Sequence, residues 1–101
     1  MSKDVMDILK LLQKHKSELK KFGVKRIWVF GSYVRGEAKE TSDVDILVEF
    51  EKGKKTFDNY MELKFFLEEL FGVGVDLITV EALKPKIRKY VWEEAVPIEG
   101  L

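Results

Sequence analysis

The sequence contains no cysteine and only one histidine, His15, among its 101 residues. Without cysteine, the chain cannot form a disulfide scaffold, a thiolate zinc site or a thiol nucleophile. A single histidine also argues against a histidine-rich metal site and against a hydrolase that uses a Ser-His-Asp triad. The chemistry of this protein must therefore depend on other side chains.

The sequence also lacks an excess of either charge and has no long apolar run. Its 18 Lys and Arg residues balance 18 Asp and Glu residues, whereas a general nucleic-acid binder usually carries a strong basic excess. No stretch approaches the roughly 20 apolar residues of a transmembrane helix, and the N-terminus has no apolar segment typical of a signal peptide. We therefore expect a cytoplasmic protein with no membrane segment and no strong nucleic-acid binding.

The hydrophobic residues are sufficient for one compact domain. They make up 46% of the chain, and the length is typical of a single domain. The sequence contains no internal repeat, low-complexity tract or linker. We therefore expect residues 1–101 to form one domain.

Hydrophobic periodicity predicts three main helices. The first runs from about residue 5 to residue 22, with Ser2 as its N-cap and Gly23 at its end. The second covers residues 56–71, and the third covers residues 85–94, beginning at a proline. The aromatic residues of the second helix are expected in the core: Phe57, Phe65, Phe66 and Phe71.

Short β-branched and aromatic runs predict the strands. Residues 26–30, 43–50 and 75–80 have this pattern. Residues 96–98 form a further candidate, restricted to a sheet edge by Pro97. The order αβ(α)βαβα(β) predicts a mixed α/β (α+β) domain, in which helices pack on a small mixed sheet.

Gly31 and Ser32 follow the first predicted strand and precede a short helical turn. Glycine allows the backbone to approach a ligand closely, and free N–H groups at the start of a helical turn favour an anion such as phosphate. The Ser32 hydroxyl adds a donor. An ordinary tight turn is the commoner explanation of a Gly-Ser pair taken alone.

Asp43 and Asp45 lie two residues apart on the second predicted strand. Because side chains alternate along a strand, both carboxylates are expected on the same face. Oxygen ligands of this kind suit Mg²⁺, which usually completes its coordination with water and substrate phosphate. The alternative is a solvated sheet edge where both carboxylates face water.

Asp76 is the single acid of the third predicted strand. A carboxylate there is costly to bury unless it is paired or binds a metal. If this strand neighbours the second, Asp76 completes a cluster with Asp43 and Asp45 that suits two-metal phosphoryl transfer. The alternative is a position at a strand end, facing water.

The residues of interest between positions 31 and 45 form one pattern: Gly31-Ser32, Arg35-Gly36, Ser42 and Asp43-x-Asp45. The Gly-Ser pair, ten intervening residues and the Asp-x-Asp pair resemble the signature of the DNA polymerase beta-type nucleotidyltransferase superfamily. The fuller string is similar to its minimal members, the MNT proteins, which pair with HEPN-domain proteins in toxin–antitoxin modules. The resemblance extends over nearly the whole chain and implies the nucleotidyltransferase fold.

This resemblance implies roles for the three acids. Asp43 and Asp45 would bind Mg²⁺, with two ions expected. Asp76 would be the third carboxylate of the catalytic and metal-binding set, where it activates the acceptor hydroxyl.

The resemblance also implies a nucleotide site. Gly31 and Ser32 would hold the phosphates of ATP or another nucleoside triphosphate, and Arg35 would line the same pocket or help to bind phosphate. An acceptor oxygen would attack the α-phosphate and release pyrophosphate.

The leading functional hypothesis is an enzyme that transfers a nucleoside monophosphate, AMP from ATP being expected, to a hydroxyl of a HEPN toxin and silences it. Two alternatives remain open: an antitoxin that neutralises its partner by binding alone, and a subunit that nucleotidylates a small molecule. A hetero-oligomer with the partner or a homodimer is expected.

Overall fold

The computed structural model describes residues 4–101, which form a four-stranded mixed sheet with helices packed on it. The strands are β1 (Val24–Phe30), β2 (Val44–Phe50), β3 (Val75–Thr79) and β4 (Val96–Pro97). Their order across the sheet is β3-β2-β1-β4. Strand β1 is antiparallel to β2 and to β4, whereas β2 and β3 are parallel. The predicted mixed α/β architecture is confirmed, including the edge position of the strand that contains Pro97.

The helices are α1 (Val5–Lys14), α2 (Lys16–Lys21), α3 (Ser32–Arg35), α4 (Phe57–Phe71) and α5 (Pro85–Glu94). A 3₁₀ turn at Val80–Ala82 follows β3. Among residues 4–101, no helix is both long enough and apolar enough to cross a bilayer.

The prediction of one continuous N-terminal helix was wrong. The backbone at His15 leaves the helical region, with φ −109° and ψ 27°, and separates α1 from α2. Helix α1 begins after Asp4, whose side chain accepts from the Asp7 N–H while the Asp7 carboxylate accepts from the Asp4 N–H. This capping box satisfies N–H groups that the first helical turn leaves free. The N-cap expected at Ser2 lies outside the described residues.

The two faces of the sheet carry different cores. On one face, α1, α2 and α4 pack on β2 through a large apolar cluster that includes Val44, Ile46 and Val48. On the other face, α5 contributes Val91 to a small cluster with Leu47. Because residues two apart on a strand share a face, Asp45 projects from the α5 side of the sheet, next to the smaller core.

The prediction of a buried aromatic face on α4 was only partly right. Phe71 is fully buried, whereas Phe57 is 78% exposed and Phe65 is 59% exposed. The buried stripe of α4 runs at four-residue spacing through Leu63, Leu67 and Phe71. Phe65 lies two residues from both leucines, which places it about 200° around the helix from them and toward solvent.

Candidate active site

The turn after β1 requires glycine at its first residue. Gly31 has φ 80° and ψ −151°, a region that is essentially restricted to glycine. A Cβ at this position would also collide with the carboxylate of Asp45. Backbone conformation and close approach therefore both select glycine here, whatever ligand the turn binds.

The parallel pairing of β2 with β3 places Asp45 directly opposite Asp76. Strand β3 therefore neighbours β2, as the predicted cluster of Asp43, Asp45 and Asp76 requires. Asp43 immediately precedes β2, and its carboxylate lies against the backbone of Gly74, where a Cβ would collide with it. The Val44 N–H donates to the Gly74 carbonyl at 2.9 Å and ties the two segments together.

The three carboxylates interact electrostatically at Asp45. This side chain is half-buried, and its desolvation raises its pKa from 3.8 to about 6, with the negative charges of Asp76 and Asp43 acting in the same direction. The Ser32 backbone N–H and the Arg35 guanidinium oppose the increase. A cation bound beside this carboxylate would therefore favour its ionised form.

The acids have the donor chemistry of a magnesium site, although their side chains do not form a closed ligand set in this structure. Among residues 4–101, no three acidic or histidine side chains converge closely enough to hold a metal ion. Repulsion between like charges opposes closer approach without a cation. The carboxylate oxygens are the ligands that Mg²⁺ prefers, and the lack of a Cβ at Gly31 and Gly74 allows the carboxylates of Asp45 and Asp43 to lie against the backbone there. These features fit the group that the resemblance implies.

We predict an unusual pH dependence for the stability of the protein without metal. Because the pKa of Asp45 rises to about 6 on folding, the folded state binds a proton between about pH 4 and pH 6 where the unfolded chain does not. The contribution of Asp45 to the free energy of unfolding therefore becomes more favourable as the pH falls through this range.

Denaturant titrations in a chelating buffer, comparing the protein with Asp45→Asn, measure this effect. We expect the variant to be the more stable protein near pH 7 and the difference to shrink on acidification, since Asn cannot titrate. A difference that stays constant from pH 7 to pH 4 would contradict the shifted pKa. Added Mg²⁺ should stabilise the wild-type protein at neutral pH, because it binds the ionised form.

Arg35 and the Gly31 turn contact a carboxylate that the sequence did not indicate. The Arg35 Nη1 donates to both oxygens of Glu94, at 3.0 Å and 3.2 Å, and the Gly31 N–H donates to Oε2 of the same side chain at 2.6 Å. The Arg35 Nε donates to Glu37 at 2.8 Å. Two hydrogen bonds raise the pKa of Arg35 above its usual value. The bond to Glu37 has the larger effect, and the bond to Glu94 has the next largest. The Gly31 N–H and the Arg35 guanidinium, which were both expected to face phosphate, therefore contact carboxylates in this structure.

The candidate site does not coincide with an apolar groove of about 500 Å³ near the start of α5. Mainly apolar residues line this groove: Tyr60, Leu77, Ile78, Thr79, Ala82, Leu83, Lys84 and Ile87. It offers little of the charge complementarity that a triphosphate or a divalent cation requires. The acids beside the Gly31 turn therefore form the better candidate for chemistry.

Comparison with known proteins shows that this chain is similar in sequence to nucleotidyltransferases. The family model of the nucleotidyltransferase domain matches residues 12–98. A protein adenylyltransferase, MntA of Thermococcus cleftensis, is 52% identical over 91 residues, which cover 89% of this chain and 91% of that protein.

Solved structures are also similar to this chain over most of its length. The structure of a candidate minimal nucleotidyltransferase is 41% identical, with a TM-score of 0.72 over 88% of this chain and 94% of that one. A complex of a tri-AMPylated HEPN toxin of Shewanella oneidensis with its MNT antitoxin matches with a TM-score of 0.64, over 92% of this chain and 73% of that one. At 20% identity, this second likeness is one of fold alone.

Proposed function

Because the chain belongs to the minimal nucleotidyltransferase family of the DNA polymerase beta-type superfamily, we propose that it transfers AMP from ATP to a hydroxyl of a HEPN-domain protein and acts as its antitoxin. The name of the Thermococcus relative, a protein adenylyltransferase at 52% identity, supports the reaction. The Shewanella complex, in which an MNT antitoxin accompanies an AMPylated HEPN toxin, supports the kind of partner.

The observation that carries this proposal is the pairing of Asp45 with Asp76 across β2 and β3, with Asp43 acting electrostatically on the same carboxylate. In the proposed site, Asp43 and Asp45 hold Mg²⁺. When bound, Mg²⁺ offsets the negative charge of both the triphosphate and the carboxylates.

The described side chains also suggest where the acceptor approaches. Asp76 is exposed, whereas Asp45 is half-buried, so Asp76 is accessible to a hydroxyl from a second protein and serves as its proton acceptor. The acceptor oxygen forms a bond to the α-phosphorus. The bond between the α-phosphorus and the oxygen that it shares with the β-phosphate breaks, and pyrophosphate leaves. The Ser32 hydroxyl donates to a phosphate oxygen. Positioning and electrostatics supply most of the rate enhancement.

Label transfer tests the reaction directly. The purified chain is incubated with a candidate HEPN-domain partner protein, Mg²⁺, and ATP labelled at either the α- or the γ-phosphate. We expect the partner protein to retain the α-label and not the γ-label, and a chelator to abolish the transfer. ATP should be a better donor than GTP, CTP or UTP.

The alternatives give different results in the same assay. Neutralisation of the partner without any retained α-label would indicate an antitoxin that acts by binding alone. Retention of the γ-label would indicate a kinase. When a cell extract is added to the assay, label that appears only on its small molecules would indicate a small-molecule acceptor. Each of these outcomes would contradict the proposed protein adenylyl transfer.

A further inference from the structure

Glu94, the last residue of α5, connects two parts of the proposed nucleotide site. Its Oε2 accepts from the Gly31 N–H at 2.6 Å and from the Arg35 Nη1 at 3.2 Å, while its Oε1 accepts from the same Nη1 at 3.0 Å. All three hydrogen bonds are charge-assisted, which makes them stronger than bonds between neutral groups. One carboxylate thus binds both Gly31, which precedes α3, and Arg35, the last residue of α3.

Strand pairing accounts for the position of Glu94. In the antiparallel pairing of β4 with β1, Val96 lies opposite Val29. Strand β1 ends one residue before Gly31, and β4 begins two residues after Glu94. The pairing of these strands therefore brings the end of α5 beside the turn, where the Glu94 carboxylate reaches the Gly31 N–H.

Packing of α5 also restricts Glu94. Val91, one helical turn earlier, is buried in the smaller core. The ring of Trp92 contacts that of Trp28 on β1 edge to face, with centroids 4.9 Å apart. Glu94 is thus held between a helix anchored on the sheet and a paired strand, and its side chain has little freedom to leave the turn.

From this arrangement we propose that Glu94 is a positioning residue, which holds the Gly31 turn and the Arg35 guanidinium in the orientation that the nucleotide requires beside Asp45. This inference rests on the proposed function. Gly31 is buried, so loss of its acceptor would leave a backbone N–H without a partner and favour rearrangement of the turn. Of its side-chain hydrogen bonds within residues 4–101, Arg35 would then keep the one to Glu37, which lies on an exposed loop.

A competing role makes the opposite prediction. If the Glu94 carboxylate only occupies a place that triphosphate oxygens take over, its neutralisation removes a competitor and tightens nucleotide binding. If Glu94 positions the turn, neutralisation weakens nucleotide binding and also slows transfer. The sign of the change in affinity therefore separates the two roles.

The test uses the full chain with Glu94→Gln, which keeps one acceptor oxygen and nearly the same shape. Glu94→Asp keeps the charge on a shorter side chain. Glu93→Gln is the matched control, because Glu93 is the preceding residue of α5, is exposed, and makes one distant ion pair with Lys89 at 4.0 Å. Calorimetric titration of each protein with Mg²⁺ and ATP gives Kd without a partner, and transfer to the HEPN protein gives kcat and KM.

For Glu94→Gln we expect an increase of at least about tenfold in the Kd for ATP and a decrease of about 10- to 100-fold in kcat, the effect typical of a lost supporting contact at a metal site. Glu94→Asp should recover part of both, and Glu93→Gln should match the wild-type protein. The amide resonance of Gly31 should move upfield in Glu94→Gln, because a neutral amide oxygen is a weaker acceptor than a carboxylate, and should stay in place in Glu93→Gln. Melting temperatures should remain close to one another, which excludes a loss of the fold as the cause.

Unchanged or tighter ATP binding by Glu94→Gln, beside an active wild-type protein, would overturn the positioning role and leave the proposed function intact. A wild-type protein that neither binds ATP with Mg²⁺ nor modifies its partner would overturn the proposed function, and the role of Glu94 would fall with it. The Gly31 resonance would still report whether the contact with Glu94 exists in solution.

Discussion

Asp45→Asn should lower the rate of nucleotidyl transfer by at least about 10³-fold while the protein remains folded, because stabilisation by a lost metal ligand amounts to several kcal/mol. Asn has nearly the same shape as Asp but binds Mg²⁺ weakly. The substitution also removes the charge that desolvation, Asp76 and Asp43 disfavour in the fold. We therefore expect a melting temperature at neutral pH equal to or above that of the wild-type protein, together with the loss of transfer.

The same experiment with Asp43→Asn should give a loss of similar size. Asp58→Asn is a suitable control, since Asp58 is an exposed acid in the first turn of α4, on another element. Transfer of labelled AMP, circular dichroism and thermal melting are measured for each variant. If Asp45→Asn and Asp43→Asn both retain more than about a tenth of the wild-type rate, the metal-assisted mechanism is wrong.

Gly31→Ala is expected to cause the largest combined loss of stability and activity. The backbone conformation of Gly31 (φ 80°, ψ −151°) is strained for any residue with a side chain, and the added Cβ would collide with the Asp45 carboxylate. Relief of the collision must move either the turn or Asp45. We expect a decrease in the free energy of unfolding of about 2–4 kcal/mol and a decrease in transfer of at least about 100-fold.

Gly36→Ala measures the cost of a left-handed residue without a collision. Gly36 also has a positive φ, 74°, but no atom of residues 4–101 lies within 4 Å of the Cβ that alanine would add. This variant should lose only about 1–2 kcal/mol, the cost of a left-handed residue, and keep most of its activity. Denaturant titration and transfer assays compare the two variants. Equal losses in both would mean that the contact between Gly31 and Asp45 does not matter.

The recognition of the family from local sequence was confirmed. The pattern between residues 31 and 45 lies within one β-turn-helix-loop-β segment, and the matched family region, residues 12–98, contains it. A fold similar to that of a minimal nucleotidyltransferase follows from the structural likeness at 41% identity. The roles assigned to Asp43, Asp45, Asp76, Gly31, Ser32 and Arg35 stay predictions until the variants are measured.

Several expectations failed where local pattern competes with packing. The apolar periodicity from residue 5 to residue 22 continues through His15, yet the backbone breaks there. Periodicity reports which residues face a core and does not report whether the axis of the helix stays straight. In the same way, the aromatic character of Phe57 and Phe65 suggested burial, but α4 turns both away from the sheet.

The sequence by itself determined the local features: the strand that ends just before Gly31, the two-residue spacing of Asp43 and Asp45 at the start of β2, and the isolated Asp76. These features depend on short-range rules, chiefly the alternation of side chains along a strand and the conformational freedom of glycine. Only the tertiary structure decided that Asp76 lies opposite Asp45 and that Glu94 accepts from Gly31, 63 residues earlier in the chain. Contacts of this kind depend on the order of strands in the sheet, which burial of the whole core selects and no short segment encodes.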